Sequence, residues 1–293
     1  MNEITIDAHA KINLALDVLG RLANGYHEVR MVMQQVELKD RITVKKTGRE
    51  RREIIITTNK DGVPTDYRNL VYQAAQLMLG LEEILDGVEI HIEKNIPMEA
   101  GLAGGSADCA ATLVAMNALF EMGMSTANLC RLGARLGADV PFCILGGAAA
   151  AEGTGTKLTS IKGLNPDRYS IVLCKPEEGI STGTVYTKYS ERMAEMMEMP
   201  HPDIIRFVGG LSTELPLANL KRDMINVLEY VTAEERPVVR EIEKRLEDMG
   251  ADLAMMTGSG TTVFGLFEDA EKAAAAQRSL MRDYEETYLT KLR

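Results

Sequence analysis

Residues 96–108, IPMEAGLAGGSAD, constrain the fold more than any other part of the chain, because an apolar strand-like run ends there in a glycine-rich turn and passes directly into a helix. Gly101, Gly104 and Gly105 leave backbone N–H groups accessible to an anion, and the positive end of the following helix opens on the same space. The segment therefore reads as a phosphate-binding turn, with Ser106 placed to cap the helix or to bind phosphate. The same residues also suit a tight turn with ordinary capping. Two familiar phosphate loops are excluded, since no Lys-Ser or Lys-Thr pair follows the glycines and the spacing is not G-x-G-x-x-G.

Around this junction the hydrophobic pattern runs from strands to helices and then starts again. Residues 4–18, EIIITT (53–58) and VEIHI (88–92) read as strands. NLVYQAAQLMLG (69–80), ADCAATLVAMNALF (107–120) and TANLCRLGARLG (126–137) carry apolar residues three or four apart and end at or near glycine, as helices do. Beyond Gly146-Gly147 and the GTG at 153–155 the pattern restarts with a strand, SIVLCKP (170–176), a Met-rich helical stretch near 184–199 and a loop around His201-Pro202. An amphipathic helix follows at 236–250, with Pro237 suited to its first turn, then a strand, TVFGLF (262–267), and a helix at 269–284. Without regular βαβ alternation the class is α+β, and the restart places two domains at 1–160 and 161–293. The polar stretch KKTGRERRE (45–53) reads as a solvated hairpin loop.

Composition removes several classes of function. The chain of 293 residues is 45% hydrophobic and 26% charged, as folded globular proteins are. A net charge of −10 argues against a nucleic-acid partner, which needs a basic footprint, so phosphates must be held by local features. The N-terminal residues do not read as a signal peptide, and no segment has the apolar length of a membrane span, so the expected setting is cytoplasmic with no membrane partner. Cys109, Cys130, Cys143 and Cys174 form no CxxC pair and read as buried free thiols.

Three other segments carry chemistry-bearing residues. In HAKINLALDV (9–18) strand alternation sends Ala10, Ile12, Leu14 and Leu16 to one face and Lys11, Asn13 and Asp17 to the other. A lysine there either has a partner or lies on an edge strand facing water. In LGADVPFCILGG (136–147), Asp139 stands between a helix ended by Gly137 and a proline, Pro141, expected to force the chain extended. MTGSGTTVFGLF (256–267) is a second glycine-rich turn entering a strand, with exposed amides or a tight bend as its two readings.

Taken in order, AKINLAL, P-x-x-x-G-L-A-G-G-S, G-A-D-V-P and T-G-S-G resemble the GHMP kinases, and the resemblance extends over nearly the whole chain. GRLANGYHEVRMVMQQVEL (20–38) and GADVPFCILGGAAAAEGTG narrow it to a branch whose acceptor is a small molecule, a cytidine diphosphate-linked polyol. The resemblance implies a two-domain GHMP kinase fold: an N-terminal ATP-binding domain like domain 2 of ribosomal protein S5, and a ferredoxin-like C-terminal domain. The active site would lie in the cleft between them, where the two glycine-rich segments meet. It implies ATP and Mg2+ as cofactors, Asp139 as catalytic base and Lys11 as its partner. Lys94 would lie near the nucleotide, and Pro97, Met98, Glu99, Ala100, Gly101, Leu102, Ala103, Gly104, Gly105, Ser106 and Ala107 would wrap the phosphates. Asn13, Tyr26, His27, Thr182 and Tyr186 would recognise the acceptor, the tyrosines flanking the cytosine and His27 reading its polar edge. Tyr186 also suits a core-facing helix position, and Tyr26-His27 a turn after Asn24-Gly25. The resemblance assigns no metal ligands, and family members of this kind are monomers or weak homodimers.

The phosphate turn departs from the commonest family pattern, G-G-G-L-G-G-G-S-S-N, by reading E-A-G-L-A-G-G-S-A-D. Alanine at 100 and 103 requires negative φ at both positions. Glu99 and Asp108 add charge near phosphates and must point outward or towards magnesium.

Overall fold

The structure is a computed structural model describing residues 2–23, 25–49, 51–81 and 84–293, so that Asn24 of the expected turn and Glu50 of the polar stretch lie outside the described residues. It divides into two compact units: Met1–Ala10, Leu38–Met98 and Ala103–Gly146 form the first, and Lys11–Glu37, Glu99–Leu102 and Gly147–Arg293 the second. This division differs from a single cut at 160, because two long paired strands, β1 (Glu3–Arg21) and β2 (His27–Lys46), each give part of their length to both units.

In the first unit β3 (Ile54–Thr58), α1 (Leu70–Leu81), β4 (Val88–Glu93), α2 (Gly104–Leu119), α3 (Thr126–Gly133) and α4 (Val140–Leu145) follow in chain order. The end of β2 pairs antiparallel with β4, from Arg41 opposite Glu93 to Lys46 opposite Val88, and β4 pairs parallel with β3. Residues 45–53 are therefore not a hairpin loop, since β4 lies between the strands they connect. The core joins Ile42, Val44, Ile90 and Ile92 of the sheet to Val71, Met78, Leu113 and Met116 of the helices. Small residues dominate the buried positions of α2, among them Ala107, Ala110, Ala111 and Ala115, and a helix apolar nearly all round belongs inside a unit. Pro141 does not extend the chain as expected. It sits in the first turn of α4, where its missing N–H has no helical partner to lose.

The second unit continues with β5 (Ala148–Gly153), antiparallel to the start of β2, and β6 (Lys157–Ser160), antiparallel to β5. Then come β7 (Ser170–Lys175), α5 (Thr182–Glu191), α6 (Met193–Met196), α7 (Ile204–Ser212), α8 (Leu217–Leu220), α9 (Glu229–Glu235), α10 (Val238–Asp248), β8 (Leu253–Met256), β9 (Val263–Phe267), α11 (Ala270–Leu280) and β10 (Glu286–Lys291). β7, β8, β9 and β10 make an antiparallel sheet in the order β10-β7-β9-β8. With α10 and α11 packed on it, this is the βαββαβ arrangement of a ferredoxin-like domain. Val239, Ile242 and Leu246 form the buried stripe of α10, while Pro237 stands at its N-cap. None of the four cysteines is in a disulfide; Cys109 and Cys174 are buried as expected, whereas Cys130 and Cys143 are only half-buried. No helix among the described residues is long and apolar enough to cross a membrane.

Candidate active site

Lys11 does not face water on an edge: it is 4% exposed, on a strand buried from Ala8 to Val18. Its ammonium donates to Asn13 Oδ1 at 2.7 Å and to the Gly101 carbonyl at 3.0 Å, and its backbone N–H donates to the Leu102 carbonyl at 3.1 Å. Asn13 donates through Nδ2 to Met31 Sδ at 3.2 Å and through its backbone N–H to Thr257 Oγ1 at 2.9 Å. Lys11, through its ammonium, and Asn13, through its backbone N–H, thus join the first glycine-rich turn to the second, all within the second unit.

The two turns touch through their backbones, as the resemblance implied. A Cβ on Gly101, whose φ is +72°, would lie 2.5 Å from the Thr257 carbonyl oxygen, and one on Gly258 would lie 2.8 Å from the Gly101 carbonyl oxygen. No side chain can replace either glycine without moving a backbone. Asn226, buried just before α9, donates from Nδ2 to the carbonyls of Met256 at 3.0 Å and Gly258 at 2.8 Å. Thr232 Oγ1 donates to the Ser259 carbonyl, and Thr182 Oγ1 shares a hydrogen bond of 2.8 Å with Ser259 Oγ. A cavity of about 590 Å³ opens beside these turns, lined by Glu99, Gly101, Ser181, Thr182, Arg236 and Gly260 among others. Asn226 and Arg236 were missed in the sequence. A lone asparagine inside the apolar run MINVL was the available signal for Asn226, and Arg236 had none.

His27 and Tyr186 come together at a ring-centroid distance of 4.9 Å with 35° between planes. His27 Nε2 shares a hydrogen bond of 2.5 Å with Ser190 Oγ. Burial, and then the Arg21 charge, hold its pKa below the ordinary histidine value, so the ring is neutral at pH 7 and offers one donor and one acceptor. Tyr26, 64% exposed, is presented to solvent. The core-facing aromatic of α5 is Tyr189, one turn on, and Tyr186 is left to meet His27.

The remaining expected residues lie in the first unit or at its junctions. Pro97 and Met98 lead into the turn, and Gly104, Gly105, Ser106 and Ala107 open α2. Two expectations fail here. Ala103 is the N-cap with φ +58°, and Glu99 also has positive φ at +52°, so position 103 carries the strain that glycine would avoid, about 1–2 kcal/mol for an L residue. Ser106 is the third residue of α2 and does not cap it; the N-cap has no side-chain hydrogen bond. Asp139, half-buried at the N-cap of α4, belongs to the first unit and Lys11 to the second. Asp108 does not point outward: it is buried beside Lys94, whose ammonium donates to it at 2.8 Å and also donates to Asp40. Among the described residues no three His, Cys, Asp or Glu side chains converge on a metal position.

In the second unit a buried lysine beside a glycine turn is chemistry suited to an anion, and in the first a half-buried carboxylate at a helix start is chemistry suited to accepting a proton. Two family models match the chain, GHMP kinases N terminal domain over residues 69–147 and GHMP kinases C terminal over 214–286, one on each side of residue 160. The 4-diphosphocytidyl-2-C-methyl-D-erythritol kinase of Clostridium tetani (strain Massachusetts / E88) is 43% identical over 291 residues, covering 98% of this chain and 99% of the relative. A crystal structure of 4-(cytidine 5'-diphospho)-2C-methyl-D-erythritol kinase superposes with a TM-score of 0.81 at 30% identity, covering 99% of both chains. The homoserine kinase of Cytophaga hutchinsonii ATCC 33406 shares the fold alone, with a TM-score of 0.74 at 20% identity over 100% of this chain and 95% of that one.

Proposed function

This chain belongs to the GHMP kinases, and from that premise we propose that it transfers the γ-phosphoryl group of ATP to the 2-hydroxyl of 4-diphosphocytidyl-2-C-methyl-D-erythritol. The products are the 2-phosphate and ADP, and the step belongs to the non-mevalonate route to isopentenyl diphosphate. The observation that carries the reading is the seating of Lys11 on the Gly101 carbonyl, which puts a cation at the turn where family sequence and helix dipole both call for phosphate.

An alcohol is a poor nucleophile at neutral pH, and in this reading Asp139 accepts its proton as the bond to phosphorus forms, a contribution of about 10²–10⁴-fold. Lys11, oriented by Asn13, offsets charge on the hydroxyl and the transferring group. The amides of residues 97–107 and the start of α2 hold the phosphates. Magnesium, if bound with the nucleotide and held chiefly by its phosphates, would supply charge neutralisation on the phosphoryl oxygens. His27, with Tyr26, Tyr186, Thr182 and Asn13, selects the cytosine and the polyol: a neutral imidazole can meet a donor or an acceptor on the base edge, and a mismatch there leaves a costly unpaired group. A cytoplasmic setting is part of the same proposal.

The test is phosphorus NMR or mass spectrometry of 4-diphosphocytidyl-2-C-methyl-D-erythritol incubated with the protein, ATP and magnesium, with Asp139→Asn alongside. Phosphorylated product from the wild type, with turnover at least ~100-fold slower in the variant, is the expected outcome. An unchanged substrate sinks the assignment of acceptor, and a fully active variant sinks the assignment of base.

A further inference from the structure

The residues on either side of the phosphate turn are joined by a buried group of charges that the transfer chemistry does not use. Lys94, at the end of β4, is 7% exposed, and its ammonium donates to Asp40 of β2 and to Asp108 Oδ2 of α2, the latter at 2.8 Å. Asp40 is fully buried, and its Oδ1 accepts the backbone N–H groups of Asn95 at 2.5 Å and Ile96 at 2.7 Å, the last residues before the turn. The backbone N–H of Lys94 donates to Asn59 Oδ1 at 2.6 Å. The far side is held as closely: a Cβ on Gly104, the first residue of α2, would lie 3.0 Å from Lys94 Nζ and 3.0 Å from Ile96 Cγ2.

We propose that Asp40, Lys94 and Asp108 form an internal clamp that positions the phosphate turn for ATP, and that the charge on Asp108 sets how tightly the phosphates are held. This rests on the kinase reading above. Lys94 then acts on the nucleotide through the turn as a positioning residue, because its ammonium is occupied by two carboxylates.

The charge dependence follows from where Asp108 sits. It is one turn into α2, roughly 6 Å along the axis from the helix start, so an ionised Asp108 and a bound phosphate draw on the same positive helix end and repel each other. Two carboxylates around one ammonium carry an excess negative charge when both are ionised. The structure marks Asp108 as the one that gives way: its Oδ1 is buried without a hydrogen-bond partner. Burial, reinforced by Asp40 and opposed by Lys94, pushes its carboxyl up to about 8, while the same carboxylates keep Lys94 charged. Helices α1 and α4, packed on α2, carry no charged group, Arg131 of α3 is engaged with Asn128, and the adjoining Cys109 thiol is pushed up to about 12 by burial and stays neutral. Near pH 7 the clamp is protonated once and close to neutral, and above about pH 8 it turns negative beneath the phosphates.

The test is calorimetric titration of the full chain with ATP and magnesium between about pH 6.5 and 9, with KM for ATP and for the acceptor measured in parallel. The wild type should bind ATP about tenfold more weakly at the alkaline end, with a midpoint near 8. Asp108→Asn is close to isosteric and restores the amide of the commoner family turn; it should bind ATP with no dependence on pH in that range. Lys94→Met should raise KM for ATP at least ~10-fold while the acceptor KM changes less than twofold, the split expected when one substrate's site is displaced. The clamp is overturned if Asp108→Asn keeps the wild-type pH dependence, or if Lys94→Met affects both substrates alike. Wild type that binds ATP but phosphorylates nothing would instead count against the acceptor assignment, because binding is read separately from turnover.

Discussion

Each unit holds a cation between two carboxylates beside a glycine-rich turn, and the two clusters differ in how much water reaches them. In the first unit Asp40, Lys94 and Asp108 are all inside, the Lys94 side chain being 4% exposed. In the second, Arg240 pairs with Glu229 and Glu243 but its side chain is 52% exposed. Glu229 Oε2 accepts the backbone N–H of Met256, at the entry to the 257–260 turn, much as Asp40 accepts those of Asn95 and Ile96. Both clusters leave one buried carboxylate oxygen unpaired, on Asp108 and on Glu243, and burial pushes both carboxyls up to about 8. The turns they border differ in sequence. Positive φ in the second falls on Gly258 and Gly260, whereas in the first it falls on Glu99 and Ala103 as well as Gly101. A turn built from glycine adopts its shape cheaply, while one that puts an acid and an alanine in the left-handed region depends on a rigid anchor to stay there. The more deeply buried clamp stands where the backbone is more strained.

The contrast is tested most severely by removing each cation. Lys94→Met leaves two carboxylates inside with no ammonium and should cost about 3–5 kcal/mol in denaturant unfolding, as broken buried pairs do. Arg240→Met should cost less than half as much, because solvent already reaches Arg240 and screens what it leaves behind. Equal losses would mean that burial is not what separates the clusters.

What the clusters share should appear in the dependence of stability on pH. Asp108 and Glu243 have folded-state values above their ordinary ones, so the folded chain keeps protons that the unfolded chain gives up. Each group therefore contributes stability that is complete at low pH, is lost as pH rises to about 8, and changes little beyond. Thermal unfolding between about pH 6 and 9 should show Tm falling and then levelling off. Asp108→Asn and Glu243→Gln should each remove roughly half of the fall, one proton apiece. A Tm that is flat across this window would show that neither carboxyl holds its proton.

The smallest effect concerns strain. Ala103→Gly should stabilise the chain by ~0.5–1 kcal/mol, the gain from relieving a left-handed alanine less the entropy of a freer unfolded chain. The corresponding substitution in the second turn, Gly258→Ala, should destabilise it, since the added Cβ meets the Gly101 carbonyl oxygen at 2.8 Å. Urea unfolding of both variants reads the difference, and a loss of stability in Ala103→Gly would place the strain elsewhere.

Much of this was legible in the chain before folding. Strong periodicity located β1, β3, β4, α1, α2 and α10 to within a few residues, because their apolar residues are many and recur at a strand or helix period. The strand β10, ETYLTK, was missed: it is short, polar on its exposed side, and a strand only because Thr287 to Lys291 lie opposite Cys174 to Ser170 of β7. Residues 45–53 looked like a hairpin for a similar reason, as pairing order is not written in the run of residues between two strands. Asp40 gave no signal of its role in ELKDRITV, since its partners lie on β4 and α2.

The sequence by itself determined the family, the order of the glycine turns and the presence of a lysine and an asparagine on one face of the first strand. Those are matters of residue type and spacing, and local sterics fix their meaning: glycine permits a tight turn, and alternation assigns faces. Only the tertiary structure decided that Lys11 is buried on Gly101, that Tyr186 meets His27 while Tyr189 enters the core, and that Asp108 is answered by Lys94 instead of by solvent. Each depends on desolvation and on partners distant in the chain. The energy of a buried charge is set by what surrounds it in space, and no spacing along the sequence carries that information.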